Sequence, residues 1–389
     1  MLEWLERAES GRVFLDDGSR RLTYGEAAAR VADLHARSRP LRPEAIIDGV
    51  LEVLAAASRG TAVLVGPGQP DPPPPTGRDP GFLVFTSGTS GTAKPVFLSW
   101  ENWAAAATAS MAHLGHDADD VWLLAMPLRH VAGLGIVLRS AFSGGSVRLL
   151  DRFEPASYAA ALRQVTMASV VPTMLKRVLD FDSEPYSGLR AVLVGGGPIP
   201  EGLLERVAAV GIPALPTYGM TETCGQVATL RPGSPLSRRA HPLPGVEVRI
   251  DGGRIDLKGE MISADVTDDE GWFHTGDLGE IDDDGALRVL GREDDMIITG
   301  GENVSPAAVE AALLRVDGVE EAFAVGLPSE EWGQEVAAIY TGTADTGVVA
   351  RSLDLPAHAR PKRLSRVDSI PATPLGKLDR EAARRLLGD

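Results

Sequence analysis

Residues 86–94 have the sequence Thr-Ser-Gly-Thr-Ser-Gly-Thr-Ala-Lys and directly follow the short apolar segment Phe82–Phe85. The apolar segment predicts a β-strand. The glycines and hydroxyls after it leave backbone N–H groups free to face a polyphosphate, and Lys94 adds a positive charge. The spacing is not that of a Walker A loop, because Gly88 stands six residues before Lys94 and Pro95 follows the lysine. Taken alone, the segment is equally consistent with a plain flexible Ser/Thr/Gly loop.

Strand and helix patterns alternate on both sides of this loop. An apolar helix is predicted over residues 46–57, a strand at Thr61–Val65, and an extended connector from Gly66 to Pro80, because four consecutive prolines cannot continue a helix or a central strand. After the loop, strands are predicted at Val121–Met126, Ala168–Val171 and Ala191–Val194, and helices at Pro155–Gln164 and Glu201–Ala209. This alternation predicts an α/β fold, a large N-terminal domain with mostly parallel sheets flanked by helices.

The pattern changes after Val246. Two β-type segments, Val246–Ile250 and Arg254–Lys258, flank Gly252-Gly253 and predict a hairpin, and more short strands are expected over Trp272–Leu290. Ser305 predicts a helix N-cap, with Pro306 as the first helical residue and Gly318 as the stop. Strands are expected near Ala322–Leu327 and Val336–Tyr340. The C-terminal part is therefore predicted to be a small α+β domain.

Length and charge limit the classes of function. A chain of 389 residues suggests two or three domains at roughly 100–200 residues each. The net charge of −16 disfavours nucleic acids and anionic lipid as partners. The single cysteine, Cys224, permits no intramolecular disulfide and no cysteine cluster for zinc, and we expect it to be a small buried apolar residue. The first ten residues do not have a signal-peptide pattern, and no apolar run is long enough to cross a bilayer, so we expect a cytoplasmic protein without membrane insertion.

Five further segments follow the Thr86–Lys94 loop in a fixed order. They are Thr217-Tyr218-Gly219-Met220-Thr221-Glu222-Thr223, Gly271-Trp272-Phe273-His274-Thr275-Gly276-Asp277, Gly291-Arg292-Glu293-Asp294-Asp295, Gly300-Gly301-Glu302-Asn303-Val304 and Pro374-Leu375-Gly376-Lys377-Leu378-Asp379-Arg380. Each alone is a weak signal. The ordered set, which covers Phe82 to Arg380, resembles the acyl-adenylate-forming superfamily of acyl- and aryl-CoA ligases, luciferases and peptide-synthetase adenylation domains.

This resemblance implies an ATP site with Mg²⁺. It assigns the β- and γ-phosphates to the loop residues Thr86, Ser87, Gly88, Thr89, Ser90, Gly91, Thr92 and Lys94. It assigns the α-phosphate to Thr221 and Mg²⁺ to Glu222, since Mg²⁺ prefers carboxylate oxygen. The adenine is assigned to the slot between Tyr218-Gly219 and the glycine segment Gly195-Gly196-Gly197, and the ribose to Asp277 with Arg292 nearby.

The resemblance also implies two half-reactions, in which a carboxylate and ATP form acyl-AMP and pyrophosphate, and the thiol of coenzyme A then displaces AMP. Lys377 is expected to reach the carboxylate and the α-phosphate during the first step. In the superfamily a small C-terminal domain pivots at the position of Asp294, and its second orientation turns Gly300-Gly301 toward the site to help form a pantetheine tunnel. The expected domains are therefore residues 1–293 and 294–389.

A second resemblance concerns the acid. Residues 126–136, Met-Pro-Leu-Arg-His-Val-Ala-Gly-Leu-Gly-Ile, and the following Arg139 resemble the LPLFHVSGQGI…R segment of o-succinylbenzoate–CoA ligases of menaquinone biosynthesis, as do residues 168–173 and 221–230. The resemblance places His130 at the acyl pocket as its gate and suggests that Arg139 holds the aromatic carboxylate of the substrate. Arg129 departs from the usual aromatic residue and is an alternative cation. His130 as a helix-start histidine without a ligand, and Arg139 as a structural arginine paired with an acid, stay open.

The remaining alternatives are a different aryl- or acyl-CoA ligase, a stand-alone adenylation enzyme that loads a carrier protein, and a nucleotide-binding descendant without activity. The last is disfavoured because Lys377, Glu222 and Asp277 are all present. Only 85 residues precede Thr86, fewer than in full-length relatives, which leaves the usual N-terminal contacts and a homodimer open.

Overall fold

In a computed structural model of the protein, the buried core residues of the N-terminal and C-terminal parts of the chain form separate clusters. The large cluster runs from Trp4 to Leu287, and two smaller clusters contain core residues from Ile297 to Leu387. The structure describes residues 2–34, 40–43, 46–66, 80–86, 94–197, 199, 201–371 and 380–387. The predicted connector from Gly66 to Pro80 falls mostly outside these residues.

The strands and helices follow the chain in a largely alternating order up to residue 218. The strands are β1 (Val13–Asp16), β2 (Arg21–Thr23), β3 (Thr61–Leu64), β4 (Gly81–Thr86), β5 (Lys94–Ser99), β6 (Val121–Leu124), β7 (Ser146–Leu149), β8 (Met167–Val170), β9 (Ala191–Val194), β10 (Ala214–Tyr218), β11 (Ala228–Thr229), β12 (His241–Pro242), β13 (Glu247–Asp251), β14 (Arg254–Lys258), β15 (Phe273–Ile281), β16 (Leu287–Arg292), β17 (Ile297–Thr299), β18 (Glu302–Val304), β19 (Val319–Ser329), β20 (Gly333–Gly342) and β21 (Arg363–Arg366). The α-helices are α1 (Leu2–Arg7), α2 (Tyr24–Asp33), α3 (Ile47–Arg59), α4 (Trp100–Leu114), α5 (Val131–Ser143), α6 (Pro155–Leu162), α7 (Pro172–Phe181), α8 (Glu201–Ala209), α9 (Pro306–Leu314), α10 (Thr346–Ser352) and α11 (Arg380–Leu386).

The largest sheet has the order β12-β11-β10-β9-β8-β6-β7-β1-β2. Its centre, from β10 to β1, is parallel throughout, and the strands at both edges are antiparallel. Helices connect the parallel strands, because parallel neighbours need a crossover connection. The predicted α/β fold with mostly parallel sheets is confirmed.

Local sequence explains where several of these helices begin and end. Ser99 caps α4 in a reciprocal pair of hydrogen bonds with Asn102, and Gly115 ends the helix in the left-handed conformation. A proline occupies the first turn of α6, α7 and α9, where its missing N–H has no helical partner to lose.

The loop at residues 86–94 joins the two antiparallel strands β4 and β5 of a second sheet, β3-β4-β5. Thr86 and Lys94 are direct cross-strand partners. Strand β5 was not predicted from the sequence, because Pro95 and the exposed Lys94 obscure its apolar alternation.

The region after Val246 contains two more sheets. The order β13-β14-β15-β16 includes the predicted hairpin, in which Gly252 and Gly253 adopt φ values of 57° and 89°. Strands β17 to β21 form the sheet of the C-terminal part, on which α9, α10 and α11 complete an α+β arrangement as expected.

One detail of the sequence interpretation is corrected. Ser305 occupies the N-cap position of α9, but its side chain makes no capping hydrogen bond and instead donates to the carbonyl of Leu290 at 3.0 Å. The hydroxyl has a single proton to donate, and the strand carbonyl of Leu290 accepts it. None of the described helices is both long and apolar enough to cross a membrane.

Candidate active site

Three of the predicted site segments follow the carboxyl ends of parallel strands of the largest sheet, in which β9 and β10 are neighbours and β8 separates β9 from β6. His130 follows β6, the glycine segment 195–197 follows β9, and Gly219 follows β10. In an open α/β sheet, ligands bind outside this edge, because the loops there diverge and leave a crevice. Motifs that are far apart in the sequence therefore lie at the same edge of the largest sheet.

The slot between β9 and β10 depends on glycine. A Cβ at Gly195 would lie 2.7 Å from Cγ2 of Thr217 and 2.9 Å from its carbonyl oxygen, so only glycine permits this approach. Gly196 has a φ of 80°, and Gly196 and Gly197 are both exposed. The segment thus presents bare backbone beside Tyr218.

The segment after β10 folds back tightly on itself. A Cβ at Gly219 would overlap the carbonyl oxygen of Gly225, and Cys224 takes a left-handed conformation with φ of 53°. Between them Thr221–Thr223 form a single 3₁₀ turn. This turn packs against β4 and β5, so it lies beside the strands that carry Thr86 and Lys94.

Tyr218, Asp277 and Arg292 form a hydrogen-bonded group. The Tyr218 hydroxyl donates to Oδ2 of Asp277 at 2.7 Å, and Nη1 of Arg292 donates to Oδ1 at 3.1 Å. Asp277 and Arg292 are cross-strand partners on β15 and β16, whereas Tyr218 comes from the large sheet. Burial, followed by the charge of Asp277, raises the pKa of Tyr218, so its hydroxyl stays protonated and can donate. Each carboxylate oxygen keeps a lone pair for another donor.

Glu222 is a half-buried carboxylate close to both signs of charge. Burial raises its pKa above the ordinary value, Asp277 raises it further, and Arg292 and Lys94 act in the opposite direction. Its backbone is fixed, since the Ser263 N–H donates to the Glu222 carbonyl at 2.8 Å. Glu222 therefore lies within electrostatic reach of Asp277, Arg292 and Lys94.

The described part of the chain contains no group of three or more His, Cys, Asp or Glu side chains arranged to hold a metal. Glu222 offers one carboxylate of the type Mg²⁺ prefers. A single carboxylate fits Mg²⁺ held together with phosphate and water oxygens, which is the usual arrangement at nucleotide sites.

The phosphate loop is only partly described. Thr86 ends β4, Lys94 begins β5, and the Thr86 hydroxyl donates to the Lys94 carbonyl at 3.4 Å. The predicted phosphate-binding residues between them lie outside the described residues; they are Ser87, Gly88, Thr89, Ser90, Gly91 and Thr92.

Helix α5 begins beside the 3₁₀ turn. His130 stands at its N-cap position, and the next residue, Val131, would be 3.7 Å from a Cβ on Gly225. A Cβ at Gly133 would lie 2.5 Å from the Pro127 carbonyl oxygen, so glycine allows the first turn of α5 to pack on the preceding loop. His130 is thereby held close to the segment that carries Thr221 and Glu222.

Arg139 lies inside the protein on the same helix. It is 4% exposed, and among the described residues it forms neither an ion pair nor a hydrogen bond through Nε. Burial lowers its pKa to about 10, and Cys224 is the group that opposes this shift. The arginine is therefore charged at neutral pH. The alternative that Arg139 is a structural arginine paired with an acid is not supported, because no acid among the described residues forms an ion pair with it. Arg129, the alternative cation, is half-buried, and burial lowers its pKa.

The remaining predicted residues belong to the C-terminal part. Asp294 is in the exposed 3₁₀ turn Glu293–Asp295, and its carboxylate lies 3.9 Å from Nη2 of Arg292. Gly300 and Gly301 form the β17–β18 turn with φ values of 60° and 85°, and the Gly300 N–H donates to the Trp332 carbonyl at 2.9 Å. These contacts hold the glycine pair within its own sheet. Lys377 lies outside the described residues.

Sequence reasoning missed the surroundings of Arg139. Its guanidinium lies 5.8 Å from the ring centroid of Trp122, and a Cβ on Gly135 would come within 3.2 Å of Nη2. The spacing of Gly135 and Arg139, four residues apart on one helix, is the signal that could have linked them. The sequence gives no comparable signal for Trp122, because apolar residues on a strand ordinarily belong to the core. Cys224 is fully buried as expected, and burial raises the pKa of its thiol.

Comparison with known proteins agrees with this geometry. Residues 33–263 match the family of AMP-binding enzymes, and residues 308–377 match the C-terminal domain of AMP-binding enzymes. The chain is 37% identical over 338 residues to a 2-succinylbenzoate–CoA ligase of Geobacillus sp. (strain WCH70), a match covering 78% of this chain and 68% of the relative. It is 39% identical over 280 residues to the 2-succinylbenzoate–CoA ligase of Bacillus pumilus (strain SAFR-032), covering 66% of this chain and 58% of that relative.

A solved structure shows the same overall arrangement. The o-succinylbenzoate CoA synthetase of Bacillus subtilis, in complex with its acyl-adenylate intermediate, superimposes with a TM-score of 0.84 at 27% identity, covering 100% of this chain and 97% of the other. Since the first family match alone spans more than half of the 389 residues, the chain belongs to the AMP-binding enzyme family.

Proposed function

We propose that this protein is an ATP-dependent o-succinylbenzoate–CoA ligase that acts in menaquinone biosynthesis. The observation that carries the proposal is a buried arginine without a described carboxylate partner, Arg139, on the helix that begins at the nucleotide-site turn. A buried cation is costly unless an anion pairs with it. o-Succinylbenzoate brings two carboxylates, one to be activated and one to be held, and its relatives' names point to the same acid.

The nucleotide half of the reaction follows from the residues at the sheet edge. The adenine would lie between Tyr218-Gly219 and the glycine backbone at Gly196-Gly197. Asp277 would accept hydrogen bonds from the ribose hydroxyls with its free lone pairs, while Tyr218 and Arg292 hold its carboxylate in place. Thr221 would donate to the α-phosphate, and Lys94 with the Thr86–Thr92 hydroxyls and N–H groups would hold the β- and γ-phosphates.

Mg²⁺ would be held by Glu222 together with phosphate oxygens. When bound, the ion would neutralise part of the phosphate charge. Burial disfavours the charged form of Glu222 and so raises its pKa, and a nearby cation would stabilise that charged form. The position therefore suits the ion.

The acyl half would occupy the space beside α5. A carboxylate is a poor electrophile, and transfer of AMP to it supplies a good leaving group. His130, at the helix start, would border and gate this pocket next to the activated carboxylate. Arg139 would hold the second carboxylate through its planar fork of donors, and Arg129 would be the cation instead if Arg139 does not contact the acid.

The small domain would supply the second set of groups. We place the domain boundary between residues 293 and 294, with Asp294 as the pivot, because the core clusters separate on either side of it. In one orientation Lys377 would stabilise the charge that develops during adenylation, and in the other Gly300-Gly301 would help to admit the thiol of coenzyme A. We assign every one of these groups within a single chain, and a homodimer would leave these assignments unchanged. The cytoplasm supplies both ATP and coenzyme A.

ATP–pyrophosphate exchange over a panel of aromatic and aliphatic acids tests the proposal. We expect exchange with o-succinylbenzoate, and formation of its CoA thioester when coenzyme A is added. Arg139→Ala should raise the KM for this acid by about ten- to a hundredfold, the equivalent of about 1.5–3 kcal/mol for a charged hydrogen bond, with the KM for ATP nearly unchanged. A protein that ignores o-succinylbenzoate but activates monocarboxylates would overturn the substrate and leave the adenylation chemistry standing.

Lys377→Ala separates the two half-reactions. The variant should lose most pyrophosphate release from acid and ATP, yet still convert supplied acyl-AMP and coenzyme A. Equal loss of both steps would contradict a lysine that serves only one domain orientation.

A further inference from the structure

The guanidinium of Arg139 rests on a glycine of its own helix. Side chains in α-helices lean toward the N-terminus, so that of Arg139 runs back over the preceding turn of α5. There a Cβ on Gly135 would lie 3.2 Å from Nη2 and 3.4 Å from Cζ of Arg139. The charged group therefore sits one turn nearer to His130 than the position of residue 139 suggests.

Two tryptophans complete this seat. The hypothetical Cβ on Gly135 would also lie 3.4 Å from Cζ3 of Trp103, which belongs to α4, and the Trp122 ring of β6 faces the guanidinium with 5.8 Å between Cζ and the ring centroid. Trp103 and Trp122 are 1% and 0% exposed. Neither ring can move aside easily in a packed core, so the space at Gly135 decides where the guanidinium can be.

The seat fixes the cation without neutralising it. The face of an aromatic ring attracts a guanidinium, yet it leaves the N–H donors available. Among the described residues Arg139 has no carboxylate partner, and Nε has no acceptor. The arrangement holds a charged fork ready for an incoming anion.

We infer that Gly135 is a specificity-determining residue, which selects acids with a second carboxylate by leaving room for the Arg139 guanidinium. This inference rests on the proposed ligase function. A methyl group at position 135 would have to displace either the guanidinium or Trp103 by several tenths of an ångström. Because hydrogen bonds to a planar fork depend on alignment, the displaced guanidinium would bind the second carboxylate poorly while the nucleotide site stays intact.

Kinetics with two acids test the inference. The wild type, Gly135→Ala and Gly135→Val are compared on o-succinylbenzoate and on benzoylpropionate, the same acid without the ring carboxylate, by pyrophosphate release. Both variants should raise the KM for o-succinylbenzoate about tenfold or more and change the KM for ATP and kcat/KM for benzoylpropionate less than about threefold. Gly202→Ala is the matched control, since it is a helical glycine with open space around its Cβ, and it should change neither acid.

A double-mutant cycle with Arg139→Lys shows whether Gly135 acts through the arginine. An ammonium does not fill the guanidinium seat, so adding Gly135→Ala to Arg139→Lys should change the preference between the two acids no further. A wild type without activity on o-succinylbenzoate would refute the proposed function. A wild type that prefers the diacid, with Gly135 variants that keep this preference or lose both acids and ATP together, would refute the inference alone.

Discussion

Single side chains connect distant parts of the sequence at the candidate site. Asp277 receives hydrogen bonds from Tyr218, 59 positions away, and from Arg292, 15 positions away. The two donors, which come from different sheets, fix the direction of the carboxylate. At the residue scale, the proposed nucleotide site is organised around the Asp277 carboxylate and the two side chains that donate to it.

Tyr218→Phe removes the hydroxyl that orients Asp277 and keeps the ring. Loss of a hydrogen bond to a charged group typically costs about 1.5–3 kcal/mol, so we expect the KM for ATP to rise by about tenfold or more, with kcat changed less than threefold. Steady-state kinetics with varied ATP measure this. Tyr158→Phe is the control, because Tyr158 is a buried tyrosine whose hydroxyl donates to the neutral carbonyl of Ser169 and not to Asp277. An unchanged KM for ATP would show that Asp277 needs no help from Tyr218.

His116 gives a pH dependence of stability. It is 2% exposed, and among the described residues neither ring nitrogen has a hydrogen-bond partner. Burial, with Arg139 as a further cause, lowers its pKa from 6.5 to about 4. The unfolded chain therefore binds a proton at higher pH than the folded protein does, so this contribution to stability is complete above about pH 6.5 and is lost as the pH falls toward about 4.

The loss should reach about 3 kcal/mol, at about 1.4 kcal/mol per pKa unit. Denaturant unfolding between pH 7 and pH 4 measures it. His116→Gln should show a shallower fall in the free energy of unfolding across this range, and the exposed His358→Gln should match the wild type. Parallel profiles for His116→Gln and the wild type would exclude His116 as the cause.

Whole elements are positioned by close backbone contacts that only glycine allows. Helix α5 carries His130, Gly135 and Arg139, and its first turn rests on the preceding loop through Gly133. The orientation of α5, and with it that of the proposed acyl pocket, therefore depends on this close contact at the start of the helix.

Gly133→Ala should disturb that contact. The added Cβ would lie 2.5 Å from the Pro127 carbonyl oxygen and 2.8 Å from that of Met126, so the helix must shift. We expect the free energy of unfolding to fall by about 1–3 kcal/mol, the usual cost of overpacking. The KM for the acid should rise more than the KM for ATP. Gly202→Ala in α8 should instead leave stability unchanged or slightly higher, by up to about 1 kcal/mol. Equal stability of the two variants would mean that the loop yields freely.

The whole molecule divides into a large and a small part with separate cores, joined through the turn Glu293–Asp295. The Ser305 hydroxyl crosses this junction and donates to the Leu290 carbonyl, and the Asp294 carboxylate approaches Arg292 of the proposed nucleotide site. A rotation at this turn would change the Ser305–Leu290 contact and the Asp294–Arg292 contact together.

Asp294→Pro should restrict that rotation. A 3₁₀ turn has φ of about −50 to −70°, which proline can adopt, so the substitution holds the turn in one conformation. We expect pyrophosphate release to survive and thioester formation to fall strongly, both followed in single-turnover assays. Asp294→Ala leaves φ free and should retain both steps. If Asp294→Pro also retains both, the pivot lies elsewhere.

The sequence by itself determined the fold class, the order of the motifs and about half of the strands and helices up to residue 218. These follow from local patterns: apolar periodicity, prolines in the first turns of helices, and glycine at tight turns. It also singled out Asp277, Arg292, Glu222 and Arg139 as candidate site residues, since each belongs to a motif. Only the tertiary structure decided that Tyr218 donates to Asp277, that the Ser305 hydroxyl donates to the Leu290 carbonyl instead of capping its helix, and that the Arg139 guanidinium lies beside Gly135 and the Trp122 ring. Pairings of this kind join residues from different elements, and their geometry depends on how sheets and helices pack, which no local pattern encodes.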